Sequence, residues 1–157
     1  METQPDSTHD LSLLEKIEQN PDATQASLAS QLGVAVGTVN WHLKRLINKG
    51  YIKVRRAERR KLLYIITPEG ISFRAHLTMD YIQNSLRIYR QTRQQVLACL
   101  VKVRQAGCHT VRLVGEGDIA EICRLTCLEQ AIGISNAPGL PVLEVRGLNV
   151  IIVMEEF

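Results

Sequence analysis

Basic side chains are concentrated in one short stretch of this sequence. Between Lys44 and Lys61, nine lysines and arginines stand against a single acid, Glu58, whereas the whole chain of 157 residues has a net charge of only +3. Cations at this density attract polyanions, because each one that meets a phosphate releases condensed counterions. A basic run is also commonly no more than a solvated face, so the elements that carry these charges decide what they do.

Three short helices are predicted in and before the basic stretch. The first ends at the turn-forming residues 20–22. The second begins at the N-cap Thr24 and ends at Gly33, because glycine readily adopts the positive φ of a sharp turn. The third helix is predicted over 36–48, and its apolar residues recur at helical spacing. These residues are Val39, Leu43, Leu46 and Ile47.

A β-hairpin is predicted next, from the β-prone segments 51–54 and 62–66 on either side of a charged tip. The order helix, helix, sharp turn, helix and hairpin is typical of a winged helix-turn-helix, whose third helix lies in the major groove of DNA. Residues of the third helix off its apolar stripe are predicted to contact DNA: Gly37, Thr38, Asn40, Trp41, Lys44 and Arg45. The tip is predicted to contact the flanking backbone or the minor groove through Arg55, Arg56, Arg59, Arg60 and Lys61. The sequence therefore predicts binding of double-stranded DNA.

Four residues of the third helix carry more specific expectations. Asn40 can bridge the N6 and N7 edge of an adenine, and Gly37 leaves room for the backbone to approach DNA closely. Trp41 either contacts DNA or is partly buried against the hairpin, and both interpretations stay open. His42 is predicted to lie on the surface.

Residues 13–78 resemble the MarR-type winged-helix regulators, above all in TQASLASQLGVAVGTVNWHLKRLINKGYIKV and LLYIITPEGI. Within that family they are most similar to the group associated with exopolysaccharide gene clusters. The resemblance covers somewhat under half of the chain, and it implies a homodimeric transcriptional regulator that binds a near-palindromic operator. Ala35 departs from the Ser or Thr that often N-caps the recognition helix in the family, a cap worth about 1 kcal/mol.

A long helix is predicted to begin at Thr67-Pro68-Glu69, where Thr suits the N-cap and Pro suits the first helical position. Along it, spacings of three and four form the a/d pattern of a coiled coil with one charged interruption. The pattern comprises Met79, Ile82, Leu86, Tyr89, Arg93, Val96, Leu100 and Val103. The favoured interpretation is a dimerisation helix that pairs with a second copy of the chain. The alternative is that the helix packs inside its own protomer.

Residues 107–157 are predicted to form a small α/β module that resembles the opening of a Rossmann fold. The GEGDIA element at 115–120 joins a predicted strand to a predicted helix, so Gly115, Gly117 and Asp118 are candidates for binding a nucleotide phosphate. The two acids of this element place negative charge where a pyrophosphate would lie. The expectation is therefore that no cofactor is bound, with a nucleotide as the alternative.

The four cysteines, Cys99, Cys108, Cys123 and Cys127, form no CxxC pair. We expect free thiols that act as small apolar side chains, rather than a metal or redox site.

No apolar run is long enough to span a bilayer and the start is polar, so a cytoplasmic, nucleoid-associated protein without a membrane partner is expected. No catalytic motif is recognisable, so no enzymatic activity is expected.

The expected fold class is α+β, with a flexible arm over 1–10, a winged helix-turn-helix over 11–67, a long linking helix over 68–106 and a partial Rossmann-like α/β module over 107–157. The expected function is sequence-specific transcriptional regulation by a homodimer, with a small-molecule effector as a candidate partner. Two alternatives stay open. One is a nucleotide-binding enzyme or nucleotide-sensing regulator that uses 115–120, and the other is an architectural DNA binder without sequence preference.

Overall fold

The computed structural model describes residues 5–154 of the chain. They form two compact units that divide between Asn84 and Ser85, here called unit 1 and unit 2. The fold is mixed α+β, with a winged helix-turn-helix in unit 1, a long helix that continues past the division, and a small sheet in unit 2. The predicted α+β class, with an N-terminal winged helix-turn-helix, a long helix and a small C-terminal sheet, is thereby confirmed, whereas the Rossmann-like character of residues 107–157 stays a prediction.

Unit 1 contains three helices and a two-stranded hairpin before the long helix begins. In chain order these are α1 (Pro5–Gln19), α2 (Gln25–Leu32), α3 (Val36–Asn48), β1 (Ile52–Arg56), a 3-10 turn (Glu58–Arg60), β2 (Leu62–Ile66) and α4 (Pro68–Gln105). The flexible arm predicted over 1–10 is wrong for residues 5–10, which are helical, while residues 1–4 lie outside the described part of the chain. The arm was predicted because its residues are polar, yet one of them, Asp10, is buried against α3.

The two turns before α3 follow the predicted chemistry. The Thr24 hydroxyl accepts a hydrogen bond from the Ser27 backbone N–H at 3.1 Å, which satisfies one of the unpaired donors at the start of α2. Gly33 ends α2 with a φ of +66°. Ala35 precedes α3 and makes no side-chain capping bond. The orientation of α3 must therefore come from packing.

The core of unit 1 supplies that packing and is almost entirely aliphatic. Its fully buried side chains are Leu13, Leu14, Ile17, Leu28, Val39, Leu43, Leu46 and Ile52. The predicted stripe of α3 is confirmed at its first three positions, and Ile47 is half-buried. Each side chain of this size contributes about 1.5–3 kcal/mol when it is removed from water. These contacts hold α3 on one face and leave its other face to solvent.

The junction between the hairpin and α4 is tightly packed. Thr67 caps α4 as predicted: its hydroxyl accepts from the Gly70 N–H at 3.1 Å and donates to the Gly50 carbonyl at 2.6 Å. A Cβ at Gly70 would lie 2.1 Å from the Tyr51 carbonyl oxygen, so only glycine fits there. The rings of Tyr51 and Phe73 stack at 4.3 Å between centroids. The start of α4 is thus fixed to the base of the hairpin.

Unit 2 is a four-stranded sheet with helices. Its elements after α4 are β3 (Thr110–Val114), α5 (Asp118–Glu129), β4 (Gly133–Ile134), β5 (Val142–Arg146) and β6 (Asn149–Val153), and the sheet order is β4-β3-β5-β6. β3 is parallel to both of its neighbours, whereas β6 is antiparallel to β5. The sequence predicts strands over 110–114, 142–145 and 148–154 and a helix over 119–130, in agreement with β3, β5, β6 and α5. It does not predict the two-residue β4, which is too short to give a periodic pattern.

Side chains of α4 cover part of the outer strand β6. The Val150 N–H donates to the Gln95 side-chain oxygen at 2.7 Å. The Cys99 thiol donates to the Val150 carbonyl oxygen at 3.9 Å. Gln95 also donates to the Asn149 side-chain oxygen at 3.4 Å. The backbone of an edge strand is thereby hydrogen-bonded at Val150 without a further strand.

The a/d pattern of α4 divides into two parts. Val96, Leu100 and Val103 are fully buried in the core of unit 2, so the interpretation of the whole pattern as a dimer surface is wrong for these three residues. Arg93, the charged interruption, binds Glu129 of α5 with Nη2 2.6 Å from Oε1, and this hydrogen bond holds the pKa of Glu129 below its usual range. The other members, Met79, Ile82, Leu86 and Tyr89, are exposed.

Among the described residues, no helix combines the length and the apolar character that crossing a bilayer requires.

Candidate nucleic-acid interface

The solvent-facing side of α3 carries most of the residues that were predicted to contact DNA. Trp41 is 52% exposed, and Gly37 and Lys44 are also exposed. Thr38 and Asn40 are half-buried, on either side of the buried Val39. A Cβ at Gly37 would meet no atom within 4 Å, so neither backbone conformation nor packing in unit 1 requires glycine there. The helix therefore presents an indole, an ammonium and an uncovered backbone to solvent.

His42 corrects the prediction of a surface position, since it is only 3% exposed. Its Nδ1 lies 2.7 Å from Oδ1 of Asp10, which is also 3% exposed and comes from α1. A buried carboxylate is strongly unfavourable unless it is paired and hydrogen-bonded, so this contact is a fixed part of the fold. Sequence reasoning missed Asp10 because the two residues are 32 positions apart and no local pattern links them.

Arg45 is on the predicted face, but its charge is already paired. Its Nη2 donates to Oδ2 of Asp10, and its Nη1 lies 3.9 Å from Oδ2 of Asp6. The guanidinium carbon lies 4.6 Å from the centroid of the Trp41 ring. Contact of Arg45 with DNA stays a prediction, and in this structure its guanidinium is paired with carboxylates of α1.

Trp41 is held by residues of its own helix. The Arg45 guanidinium lies over its ring, and the His42 ring meets it edge-on at 4.8 Å between centroids. Of the two interpretations left open by the sequence, the exposure of the indole favours a side chain available to a partner over burial against the hairpin.

The hairpin forms the basic wing as predicted. β1 and β2 are antiparallel, with Ile52 opposite Ile66 and Arg56 opposite Leu62. The Ala57 N–H donates to the Lys61 carbonyl at 2.7 Å, which closes the tip, and Arg59 there has a φ of +61°. Arg55, Arg56 and Arg59 are all exposed, and the side chain of Arg60 lies outside the described part of the chain. The wing therefore carries its arginines into solvent on a short, closed scaffold.

Lys61 differs from the wing arginines because it has a partner. Its ammonium donates to Oδ2 of Asp22, in the turn between α1 and α2, and this hydrogen bond together with its charge lowers the pKa of Asp22. Both side chains are largely exposed, so the pair contributes little to stability. Lys61 holds the base of the wing tip to the helical part of unit 1.

The GEGDIA element of unit 2 has structural reasons for its glycines. Gly115 has a φ of +141°, and a Cβ there would lie 2.6 Å from Cβ of Val145 in β5. Gly117 has a φ of +82° and directly precedes α5. Glu116 and Asp118 are exposed. Nucleotide binding by Gly115, Gly117 and Asp118 stays a prediction, and the two acids give this turn the wrong charge for a phosphate.

Three of the four cysteines are buried in unit 2. Burial raises the pKa of Cys123 to about 12 and that of Cys127 to about 11, and it also raises the pKa of Cys99. Such thiols are protonated at neutral pH and act as apolar core side chains. Among the described residues no group of three or more metal-ligating side chains is brought together.

A family model described as winged helix-turn-helix DNA-binding matches residues 6–53. No curated protein matches the sequence. Among solved structures, FabT of Streptococcus pneumoniae in complex with DNA is 29% identical, with coverage of 50% of this chain and 57% of FabT and a TM-score of 0.40. The chain thus spans less than two thirds of FabT.

Two further solved structures are similar in the same way. A MarR family transcription regulator is 21% identical, with coverage of 62% of this chain and 66% of that one and a TM-score of 0.46. MepR, a transcription regulator of the Staphylococcus aureus multidrug efflux pump MepA, is 23% identical, with coverage of 65% and 78% and a TM-score of 0.47. The order of its own elements, together with the match over residues 6–53, shows that the N-terminal unit of this chain has the winged helix-turn-helix fold.

Proposed function

We propose that this chain is a sequence-specific regulator of transcription that binds double-stranded DNA as a homodimer. One observation carries the proposal: the face of α3 opposite the core presents Gly37, Trp41 and Lys44 to solvent, beside a wing with exposed arginines. A helix with this exposed face fits a major groove about 12 Å wide, and arginines suit a backbone or a narrow minor groove. The protein would act in the cytoplasm, on the nucleoid, without an enzymatic activity of its own.

Residues within the interface have different roles in this proposal. Asn40 and Trp41 meet base edges or sugars, Thr38 meets a base or a phosphate, and Lys44 meets phosphate or guanine. The wing arginines bind the flanking backbone or the minor groove. With about six phosphates neutralised per bound unit, the slope of log K against log salt is expected near −5.

The homodimer in this proposal forms through the exposed part of the α4 pattern. Met79, Ile82, Leu86 and Tyr89 recur at spacings of three and four, so they share one face of the helix. Four large apolar side chains in a row on a water-exposed helix favour a matching helix, and a second copy of the chain supplies one. Two recognition helices then read half-sites about one helical turn apart.

The oligomeric state tests this surface. Replacing Ile82 and Leu86 together by Glu is expected to convert a dimer to a monomer in sedimentation velocity, because like charges and lost apolar contact oppose pairing. Gln91→Glu with Gln94→Glu is the matched control, since it adds the same charge to exposed positions of α4 off the stripe. A wild-type monomer, or a dimer that survives both stripe substitutions, contradicts the proposed interface.

Selection of bound fragments from a genomic library tests sequence specificity. We expect an enriched near-palindromic motif, bound far more tightly than a scrambled version at the same salt concentration. Equal affinity for both would instead indicate an architectural DNA binder, and absence of binding at low salt would contradict DNA binding altogether. A small-molecule effector would be found by screening for release from the selected site.

A further inference from the structure

The carboxylate of Asp10 connects α1 to the recognition helix. Asp10 is 3% exposed, and it contacts both the His42 Nδ1, at 2.7 Å, and the Arg45 Nη2. A buried carboxylate requires such partners, and here both come from α3. The first helix of unit 1 therefore fixes two side chains of α3 in addition to the apolar contacts between the helices.

Those two side chains in turn hold Trp41. The Arg45 guanidinium lies 4.6 Å above the ring centroid, within the range of a cation–π contact, and the His42 ring meets the indole edge-on. Asp10, His42, Arg45 and Trp41 form one connected group, here called the Asp10 cluster. Its outer member, the indole, is half exposed, whereas its inner member is buried.

The Asp10 cluster changes what Arg45 offers to DNA. An arginine that donates to a buried carboxylate and lies over an indole is less available to a phosphate, because its charge is partly offset by that carboxylate and its position is fixed. The indole, which is 52% exposed, is still presented to bases and sugars. The arrangement favours recognition of shape over attraction to the backbone.

We propose that Asp10 is a specificity-determining positioning residue of the DNA interface: it holds Arg45 on Trp41, which fixes the indole for base or sugar contact and withholds the Arg45 charge from phosphates. This inference rests on the DNA binding proposed above. Its first half, the positioning of Arg45 and Trp41, is a property of the protein without DNA.

Tryptophan fluorescence of the full chain tests that first half. Trp41 is the only tryptophan, so all indole emission reports on the Asp10 cluster. Asp10→Asn keeps the size of the side chain but removes its charge, and release of the guanidinium is expected to make the emission red-shifted and more easily quenched by acrylamide. Unchanged emission and quenching in a folded Asp10→Asn variant would overturn the proposal, whether or not the protein binds DNA.

Binding to the selected site and to its scrambled version tests the second half. In Asp10→Asn the freed Arg45 is expected to contact a phosphate, so the salt slope becomes steeper by about 0.9. The ratio of the two affinities is expected to fall about tenfold, the effect of losing discrimination at one base pair. A role confined to stability would change neither the slope nor the ratio.

Two further variants complete the design. Asp6→Asn is the matched control, because Asp6 is also near Arg45, at 3.9 Å, but its side chain is 51% exposed, so wild-type fluorescence and slope are expected. Asp10→Asn combined with Arg45→Gln removes both charges together and covers the case in which the single variant does not fold. In the double variant we expect wild-type slope with reduced discrimination. A slope shallower by about 0.9 would mean that Arg45 already contacts a phosphate in the wild type, and would overturn the proposal.

Discussion

Helices α3 and α5 both follow a glycine turn, and they differ in the charge of the side chains around them. Each follows a turn with a glycine at positive φ, Gly33 or Gly117, and neither has a side-chain N-cap bond. α3 is followed by the basic wing, whereas Glu116 lies in the turn before α5 and Asp118 is the first residue of α5. A glycine turn and an uncapped helix N-terminus therefore do not by themselves indicate a phosphate-binding site. The charge of the neighbouring side chains is what distinguishes α3 from α5.

The largest expected effect on DNA affinity comes from removing the positive charge of the wing that follows α3. Replacing Arg55, Arg56, Arg59 and Arg60 together by Ala should lower affinity for every DNA sequence about a thousandfold at 0.1 M salt and flatten the salt slope by about 3.6. Fluorescence anisotropy with labelled duplexes at several salt concentrations measures both quantities.

The control for the wing variant is Ala at three exposed arginines of unit 2, Arg104, Arg124 and Arg146. We expect wild-type affinity for this control. Equal losses in the two variants would mean that net charge, rather than the wing, governs binding.

The two turns should also respond differently to a methyl group. Gly115→Ala combines a φ of +141° with a contact of 2.6 Å to Val145, so a loss of about 3 kcal/mol in the stability of unit 2 is expected. Gly33→Ala meets no atom within 4 Å and has only an unfavourable φ, so a loss of about 1 kcal/mol in unit 1 is expected. Urea unfolding followed by Trp41 fluorescence reports unit 1, and circular dichroism reports both units. Equal losses at the two positions would contradict the packing role of Gly115.

At Gly37, substitution by Ala is expected to raise stability and to lower DNA affinity. Its methyl group would be solvent-exposed in a helix, so Gly37→Ala is expected to stabilise unit 1 by about 0.5–1 kcal/mol. If the α3 backbone approaches DNA closely at this point, the same variant should bind DNA about tenfold more weakly, a loss of about 1.4 kcal/mol. Gly37→Ala with unchanged affinity would place the closest approach of DNA elsewhere on α3.

The smallest expected effect concerns α5. Because Glu116 and Asp118 repel phosphates, millimolar NAD or a nucleotide sugar is expected to leave the thermal unfolding midpoint unchanged, whereas a ligand at 100 times its Kd would stabilise by about 2.7 kcal/mol. Glu116→Gln with Asp118→Asn repeats the measurement without the charges. A shift in the wild type would show that α5, too, binds phosphate and would remove the contrast with α3.

Local patterns in the sequence predict much of this fold. Thr24, Gly33 and Thr67 act through neighbours within a few residues, so their caps and turns follow from residue type and spacing. The buried stripe of α3 follows from its 3.6-residue period in the same way. The sequence also predicts the part of the candidate site that consists of exposed residues of α3 and the wing.

Interactions between distant residues were not predictable. The contacts of Asp10 with His42 and Arg45 join residues 32 and 35 positions apart, and a polar helix start gives no hint that one of its carboxylates is buried. The a/d pattern of α4 likewise predicts that its apolar face packs against another apolar surface, but it does not identify that surface. Val96 and Leu100 pack in the core of unit 2 itself.

The contacts of Gln95 and Cys99 with Val150 bear on how this chain avoids aggregation. β6 is an edge strand with the uncharged sequence NVIIV, the kind of segment through which sheets of different molecules pair edge to edge. Helix α4 leaves the ribosome before β6 does, so the groups that occupy the Val150 backbone are already present when the strand emerges. The order of the chain thus places the groups that cover the backbone of this apolar edge strand ahead of the strand itself.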